Sequence, residues 1–309
     1  MEFNTIMVDT MSEVSDNDEP PLRFVSASDH VAEMKTNRKQ KHDLFPAGKT
    51  SNEFRKRYYP KTTLSEWSDW EWQVANSITS FKQLKTFFPL IFSEQFQPNQ
   101  ELLPLRITPY YASLIDFANP HDPIGLSVIP SALELERNYG EKSDPLSEEK
   151  DMPVDGIVHR YPDRVLLLST DSCAAYCRYC TRSHLVAKHK ENNGMQTWIK
   201  SLNYIAEHPE VRDVLISGGD FLTYDDQQIE FLLSELRKIR HVEIIRIGTK
   251  VPVVLPQRIT NSLLRILKKY HPLIMSIHFT HPRELTQEVK HACERLAMQE
   301  FLWEVRQCY

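Results

Sequence analysis

Three cysteines in a CxxxCxxC spacing are the residues of this sequence with the clearest chemical potential. Cys173, Cys177 and Cys180 lie on one short segment directly after the apolar run at 164–170. Three thiolates at this spacing can bind three irons of a cubane [4Fe–4S] cluster, which leaves the fourth iron without a protein ligand. An iron with an open coordination position can bind a small molecule and take part in its chemistry.

Other interpretations of the cysteines stay open from the residues alone. A structural zinc site needs four ligands, and His184 is near enough in sequence to complete the set. A disulfide framework is disfavoured, because three of the five cysteines fall within 173–180. Cys293 stands alone on a predicted helix and is typical of a core residue. This cysteine usage predicts a reduced, metal-binding protein of the cytoplasm.

Composition narrows the class of protein. The chain has 309 residues, 41% of them hydrophobic, which suffices for one large α/β domain with a smaller attachment. A formal net charge of −5 gives no reason to expect a nucleic-acid partner. No apolar run is long enough to span a membrane, and residues 1–10 lack the features of a signal or transit peptide.

The first half of the chain divides into two predicted regions. Residues 1–55 are polar and mixed in charge, and they are predicted to form a disordered or loosely attached extension. Residues 56–158 are predicted to form a helical region, because Trp67, Trp70, Val74 and Ile78 recur at helical spacing. Further helices are predicted over 81–92 and 131–138.

A repeated strand–helix pattern begins after residue 160. Apolar runs start at Arg164, Val214, Glu243 and Leu273, the last three about 30 residues apart, and helical patterns follow them. This repetition predicts βα units around a parallel sheet, with functional residues at the carboxyl ends of the strands. The cysteines, the segment 217–220 and His278 all fall at such ends.

Several motifs in one order resemble the lysine 2,3-aminomutase family of radical S-adenosylmethionine (SAM) enzymes. The resemblance runs from residue 64 to residue 297 and rests on ITPYY at 107–111, IPSALEL at 129–135, HRYPDRV at 159–165, CAAYCRYCTR at 173–182, SGGD at 217–220, RIGT at 246–249, PVV at 252–254, PQRIT at 256–260 and HFTHP at 278–282. It implies a partial (β/α) radical SAM barrel at 159–297, with about four of six strands present, preceded by the N-terminal helical region.

The resemblance also implies an activity and its cofactors. Family members are isomerases that move an amino group of an amino acid from C2 to C3. They use a [4Fe–4S] cluster and SAM to form a 5′-deoxyadenosyl radical, and pyridoxal 5′-phosphate (PLP) to hold the amino group as an imine. The implied partners are a small-molecule amino acid, an electron donor for the cluster and further copies in a homo-oligomer.

Roles for individual residues follow from the same resemblance. The cluster ligands would be Cys173, Cys177 and Cys180; SAM would contact Tyr179, Gly218, Gly219, Asp220 and His278; the PLP phosphate would bind Arg160 and Arg164; and the substrate carboxylate would bind Arg182. A glycine pair also lets a ligand approach the backbone closely, and the arginine fork suits a phosphate. The residues alone also allow Asp220 to cap a turn, the arginines to pair with Asp163, and His278 to be structural.

The last residues, 298–309, match no part of the family. Their codons read in the neighbouring frame give a family-like continuation, so the segment is predicted to be an out-of-frame tail. The family's PLP lysine would then lie beyond this sequence, and the chain as given would be inactive. Three functions stay open: an aminomutase, a shortened product that only binds a cluster, and a zinc-stabilised structural protein. The motifs do not identify which amino acid is the substrate.

Overall fold

A six-stranded sheet forms the centre of the protein. The computed structural model describes residues 45–87, 103–136, 139–186, 194–299 and 302–307. The strands are β1 (Ile157–Tyr161), β2 (Arg164–Thr170), β3 (Asp213–Gly218), β4 (Ile244–Thr249), β5 (Leu273–Phe279) and β6 (Leu302–Gln307). They neighbour one another in chain order, with β1 antiparallel to β2 and all later pairs parallel. This arrangement is the predicted partial (β/α) barrel.

Helices precede the sheet and connect its strands. The α-helices of the described ranges are α1 (Lys49–Tyr58), α2 (Leu64–Trp67), α3 (Trp70–Ala75), α4 (Phe81–Phe87), α5 (Pro109–Ala112), α6 (Pro123–Val128), α7 (Gly194–Glu207), α8 (Asp226–Lys238), α9 (Val251–Val254), α10 (Asn261–Lys268) and α11 (Gln287–Ala297). Short 3-10 helices lie at Ala132–Leu135, Glu148–Asp151, Phe221–Thr223, Pro256–Arg258 and Pro282–Glu284. In the part of the chain that the structure describes, no helix is long and apolar enough to cross a membrane.

The alternation of burial along β2 shows how the strands sort their side chains. Val165 and Leu167 are buried in the same apolar cluster as Trp198 of α7. Arg164 and Leu166, which alternate with them, are half-buried and line a cavity on the other face of the sheet. Because successive side chains of a strand point to opposite faces, one face builds the core and the other is available to a ligand.

The four strands predicted from apolar runs are confirmed, and two more strands complete the sheet. β1 carries polar residues, so no apolar run marks it in the sequence. It forms because it pairs with β2 in a hairpin, in which Tyr161 lies opposite Arg164. β6 falls within the predicted tail and pairs along β5, from Ile274 opposite Leu302 to Phe279 opposite Gln307. The edge of β5 is therefore paired, while the out-of-frame origin of 298–309 stays a prediction.

The folded part of the chain begins earlier than predicted. The Gly48 N–H donates to Glu288 Oε1 at 2.6 Å, and the hydroxyl of Ser51 on α1 bonds to the same oxygen. Phe54 is buried as well. The prediction of a loose extension is therefore wrong for residues 45–55, and residues 1–44 lie outside the described ranges. Hydrogen bonds to one carboxylate hold this polar segment, and apolar periodicity does not detect such bonds.

Local capping changes two of the predicted helices. The single helix expected from Trp67 to Ile78 is divided into α2 and α3, because the Asp69 side chain accepts from the Glu71 N–H and starts a new helix. The stretch predicted over 81–92 is α4, and 88–92 lie outside the described residues. The helix predicted over 131–138 is the 3-10 helix Ala132–Leu135, and 137–138 are likewise not described. Cys293 packs against the apolar core, as predicted.

Candidate functional site

The three cysteines lie on the loop that follows β2, at the carboxyl edge of the sheet. The Cys180 N–H donates to the Cys177 carbonyl at 3.2 Å, and the Ser183 N–H donates to the Cys180 carbonyl at 3.2 Å. The first of these turns brings Cys177 and Cys180 close together, and the second continues the loop beyond Cys180. All three thiols are partly buried. The loop therefore gathers three sulfur donors where parallel-sheet proteins carry their active sites.

The acidity of the thiols shows that they share one environment. Burial raises the pKa of all three above the ordinary value. For Cys173, the charges of Asp220 and of the Cys177 and Cys180 thiolates raise the pKa further. The three sulfur atoms are thus near enough to influence one another, and three thiolates together require a compensating positive charge. A bound metal group supplies such a charge.

The cluster and zinc hypotheses require different arrangements of the donor atoms. Within the described ranges, no three Cys, His, Asp or Glu side chains are arranged to hold one metal ion. A tetrahedral zinc site requires its ligands to converge in that way, whereas a cubane cluster binds each cysteine to a different iron. His184, the fourth ligand of the zinc hypothesis, lies 4.0 Å from Glu149. The preference for a cluster over a zinc site stays a prediction.

Backbone contacts tie the cysteine loop to the N-terminal helical region. The Arg106 guanidinium donates to the Cys173 carbonyl at 3.2 Å, and the Tyr176 N–H donates to the Arg106 carbonyl at 3.0 Å. The Arg178 N–H donates to the Ser127 carbonyl at 2.8 Å. The start and the middle of the loop are thus held by residues that precede the barrel.

Arg178 provides the largest of these attachments. Its side chain is 6% exposed and pairs with both carboxylate oxygens of Glu134. The same guanidinium donates to the carbonyl oxygens of Leu103 at 2.8 Å and Pro104 at 3.2 Å. Since Arg178 stands between the second and third cysteines, these bonds fix the segment that carries two of the three sulfur donors.

Replacing Arg178 by lysine is expected to loosen the cysteine loop and speed the loss of bound iron. A lysine ammonium lacks the planar fork and cannot serve a carboxylate and two carbonyls in the same geometry. We expect the reconstituted variant to lose its cluster to a chelator roughly tenfold faster, as about 1.4 kcal/mol of lost loop stabilisation predicts. The decay of the cluster absorbance in the presence of EDTA measures this rate.

Arg237 offers a matched control for that experiment. Its guanidinium also serves several backbone carbonyls, including those of Tyr270 and Val242, but at the amino edge of the sheet. Arg237→Lys is expected to lower the stability of the fold without changing the rate of iron loss. Equal acceleration in both variants would show that general destabilisation, and not the attachment of the loop, controls cluster retention.

The glycine pair after β3 lets the cysteine loop pack against the sheet. Gly218 has a φ of +102°, and a Cβ at Gly219 would lie 2.8 Å from the Ser172 nitrogen and closer still to its carbonyl oxygen. The Gly219 N–H donates to the Thr170 carbonyl at 2.6 Å. The loop itself therefore fills the space that the glycines leave open. The predicted contact of both glycines with SAM stays a prediction.

Asp220 joins the ends of two strands. It is buried, and its carboxylate accepts the Thr249 hydroxyl at 2.7 Å together with the backbone N–H groups of Lys250 at 2.8 Å, Val251 at 3.1 Å and Leu222 at 3.2 Å. These donors use the acceptor capacity of both oxygens. The capping hypothesis for Asp220 is thus confirmed. The predicted contact of Asp220 with SAM stays a prediction.

Tyr179 and His278, both predicted to contact SAM, lie side by side. Their ring centroids are 5.6 Å apart with an interplanar angle of 75°. Tyr179 directly precedes Cys180 in the chain, and burial, followed by the charge of the Cys177 thiolate, raises the pKa of its hydroxyl above the ordinary value. The loop and the end of β5 therefore form an aromatic edge beside the sulfur donors, which suits a flat heterocycle.

The predicted arginines share one cavity of about 230 Å³. Arg160, Arg164 and Arg182 line it together with Arg246, which belongs to the RIGT motif but was given no role from the sequence. The acidic residues of its wall are Glu148 and Asp213. The cavity lies between the cysteine loop, β1 and the starts of β2 to β4, and its guanidinium groups outnumber its carboxylates.

Carboxylates of the protein already pair with most of these guanidinium groups. Arg182 binds Glu148 through two bonds of 2.8 and 2.6 Å, and Arg246 binds Asp213 in the same bidentate manner. Arg160 pairs with Asp151 at 2.6 Å and not with Asp163. Arg164 lies 3.8 Å from Asp163 and 5.4 Å from the centroid of the Tyr161 ring. The arginines thus come together in one cavity with acidic residues of the same chain as partners, and their predicted roles toward PLP and the substrate stay predictions.

Comparison with known proteins agrees with this geometry. Residues 167–302 match the radical SAM superfamily. The L-lysine 2,3-aminomutase of Clostridium subterminale is 49% identical over 235 residues, which cover 75% of this chain and 56% of the relative. That of Bacillus subtilis is 45% identical over 233 residues, with 75% and 50% covered. The glutamate 2,3-aminomutase of Clostridioides difficile is 41% identical over 237 residues, with 76% and 56% covered.

The chain belongs to the lysine 2,3-aminomutase family of radical SAM proteins. It spans between 50% and 56% of the length of these three relatives. The matched radical SAM segment begins in β2 and ends at the start of β6, so it contains the cysteine loop, the glycine pair and His278.

A buried ion pair behind the cysteine loop of this aminomutase-family chain was missed by sequence reasoning. Lys250 Nζ donates to Glu284 Oε1 at 2.9 Å, and the Tyr111 hydroxyl donates to the same oxygen at 2.5 Å. The Thr280 N–H donates to the other oxygen at 2.7 Å. The pair joins the carboxyl ends of β4 and β5 to α5. Two motifs of the resemblance contain Tyr111 and Thr280, and that was the only signal in the sequence.

Proposed function

We propose that this chain forms the cluster- and SAM-binding part of an amino acid 2,3-aminomutase, a radical isomerase that moves an amino group from C2 to C3. The observation that carries the proposal is the cysteine loop, whose three thiols lie at the carboxyl edge of a parallel sheet next to the Tyr179–His278 pair. Relatives that are lysine and glutamate 2,3-aminomutases support this reaction class and an α-amino acid as substrate.

Different residues would bind the cluster and SAM. Cys173, Cys177 and Cys180 would ligate the cluster, and Tyr179 with His278 would flank SAM. When bound, the cluster and SAM supply a 5′-deoxyadenosyl radical, and PLP holds the migrating amino group. Burial of the loop against the N-terminal region limits the access of water to the sulfur donors, and an electron-donor protein would reduce the cluster from outside.

The arginine cavity would hold the anionic groups. We propose that Arg160 and Arg164 bind the PLP phosphate and that Arg182 binds the substrate carboxylate. Planar guanidinium groups bind phosphate and carboxylate through paired hydrogen bonds, and the shared cavity places all three near one another. Because each arginine faces an internal acid, binding would exchange one carboxylate for another anion rather than bury a new unpaired charge.

Anaerobic reconstitution tests the proposal. The protein is incubated with ferrous iron and sulfide, analysed for metal, reduced with dithionite and supplied with SAM. We expect about four irons per chain and release of 5′-deoxyadenosine. Cys177→Ser should lose both, whereas Cys293→Ser, on α11, should keep them. Zinc without sulfide would instead support the structural-protein hypothesis, and a cluster that never cleaves SAM would contradict the enzymatic one.

A further inference from the structure

The segment 144–151, here named the acidic strap, sends one carboxylate into the arginine cavity. Between residues 139 and 155 the structure buries a single side chain, that of Glu148. Its side chain is 6% exposed, whereas that of its neighbour Glu149 is 68% exposed. An acidic side chain is rarely the sole buried residue of an otherwise exposed segment unless it has a specific partner.

Polar contacts with the cavity arginines hold the strap in place. Glu148 binds the Arg182 fork at 2.6 and 2.8 Å. Arg160 donates through Nε to Asp151 at 2.6 Å and through Nη2 to the Leu146 carbonyl at 2.5 Å. The Leu146 side chain is exposed, so apolar burial contributes little to this attachment. Another anion can replace the acidic side chain in contacts of this kind, because a guanidinium group donates paired hydrogen bonds to any carboxylate of suitable geometry.

Backbone strain marks the residue that precedes Glu148. Ser147 has φ 53° and ψ 36°, and among the described non-glycine residues it alone has a positive φ. A left-handed conformation of this kind is unfavourable for a residue with a Cβ and persists where surrounding contacts enforce it. Asp144 holds the strap before Ser147, where it accepts the Ser147 N–H at 3.3 Å and the Glu149 N–H at 3.0 Å, and the contacts of Glu148 and Asp151 hold it afterwards.

We propose that Glu148 is an internal carboxylate that occupies the Arg182 fork until the carboxylate of an α-amino acid displaces it and the acidic strap opens. The identity of the ligand as an amino acid rests on the function proposed above. Because Glu148 is tethered beside Arg182, it competes at a high effective concentration. Every carboxylate ligand must displace Glu148 from Arg182, which costs the same free energy for each ligand. A ligand with a carboxylate alone therefore binds poorly, whereas a ligand with further contacts in the cavity still binds. Glu148 thus lowers the affinity for every carboxylate ligand, and only ligands with further contacts in the cavity bind appreciably.

Titration calorimetry with acetate, L-lysine and L-glutamate tests this competition. Glu148→Gln keeps the shape of the side chain but removes its charge, and Glu149→Gln is the matched control one residue away. We expect the first variant to bind the probes roughly tenfold more tightly than wild type, and the control to match wild type. Hydrogen exchange of residues 144–151 should be faster in Glu148→Gln, and faster in wild type when an amino acid is bound.

The outcomes separate this inference from the proposed function. One outcome is that acetate binds more tightly to Glu148→Gln than to wild type while neither amino acid binds the variant more tightly than acetate does. That result would support the competing role of Glu148 and contradict the proposal that the substrate is an amino acid. Equal affinities in wild type and Glu148→Gln would overturn the inference, as would the absence of binding by every probe to both proteins. If Glu148→Gln fails to fold by circular dichroism, Glu148→Asp withdraws the carboxylate by one methylene and is expected to show the same trend.

Discussion

Replacing Gly219 by alanine is expected to remove most of the iron–sulfur cluster from the reconstituted protein. The new methyl group would lie 2.8 Å from the Ser172 nitrogen and closer to its carbonyl oxygen, both of which are backbone atoms. That carbonyl also accepts the Asp220 N–H at 2.9 Å, so the segment cannot move without losing this bond. Ser172 directly precedes Cys173, and the clash therefore displaces a cluster ligand.

The size of the effect follows from the cost of overpacking. Inserting a methyl group into a closely packed site costs about 1–3 kcal/mol. If the loop bears this cost, cluster occupancy at limiting iron falls by roughly tenfold or more. Iron and sulfide per chain, measured after anaerobic reconstitution and gel filtration, report the occupancy directly.

Gly248→Ala is the matched control for Gly219→Ala. Gly248 also lies near the carboxyl end of a parallel strand, β4, but the closest atom to an added Cβ would be the Ser217 hydroxyl oxygen at 3.5 Å. This is an ordinary contact, so the control should bind a full cluster. A Gly219→Ala protein with full iron content but no spectroscopic response to SAM would contradict the packing explanation and support the predicted SAM contact.

Local signals in the sequence predicted the sheet and the cysteine loop. The apolar runs placed the starts of β2 and β5 at Arg164 and Leu273, and missed those of β3 and β4 by one residue each. Strand period and cysteine spacing are properties of neighbouring residues, so both can be recognised in the sequence without knowledge of the fold. The alignment of functional residues at the carboxyl edge then follows from the parallel topology alone.

Contacts between residues far apart in the chain could not be predicted in the same way. The sequence named Arg182 but not Glu148, which lies 34 positions before it, and it named the motif of Tyr111 but not Glu284, which lies 173 positions later. Acidic residues in polar segments have the composition of a solvated surface. Only the fold shows that Glu148 and Glu284 are buried, because burial of a charge depends on a partner that another element supplies.

For Asp220, the sequence could not predict which other residues bind its carboxylate. The sequence allowed both a cap and a contact with SAM, since an aspartate after a strand suits either role. The cap is completed by Thr249, Lys250 and Val251, which reach the carboxylate only when β4 lies beside β3. These bonds depend on strand order, which is a global property that neighbouring residues do not reveal.

Glu284→Gln is expected to lower the free energy of unfolding by about 3 kcal/mol or more, because removing one charge of a buried pair leaves the other uncompensated. Lys250 is nearly buried, and its Nζ lies 2.9 Å from the Glu284 carboxylate. A glutamine retains the hydrogen bonds from the backbone but cannot balance the ammonium. Urea denaturation followed by circular dichroism measures the loss, and Lys250→Met in the same chain should restore part of it.

The pH dependence of stability should differ between wild type and Glu284→Gln. Burial raises the pKa of the Glu284 carboxyl, but the charge of Lys250 and the Tyr111 hydroxyl outweigh burial and hold the pKa below its ordinary value. A carboxyl whose pKa is lower in the folded state stabilises the fold above its unfolded pKa, and the contribution is lost as the pH falls through the folded value. Wild type should therefore lose stability on acidification more steeply than Glu284→Gln.

Glu230→Gln provides the comparison that makes the Glu284 result interpretable. Glu230 pairs with Lys269 at 2.5 Å, and both side chains are exposed, so solvent screens their attraction. Exposed pairs contribute about 0–1 kcal/mol, and the loss in this variant should fall in that range. A similar small loss for Glu284→Gln would mean that Lys250 finds another partner or water when its carboxylate is removed. In that case the buried pair would not be what fastens the ends of β4 and β5 to α5 behind the cysteine loop.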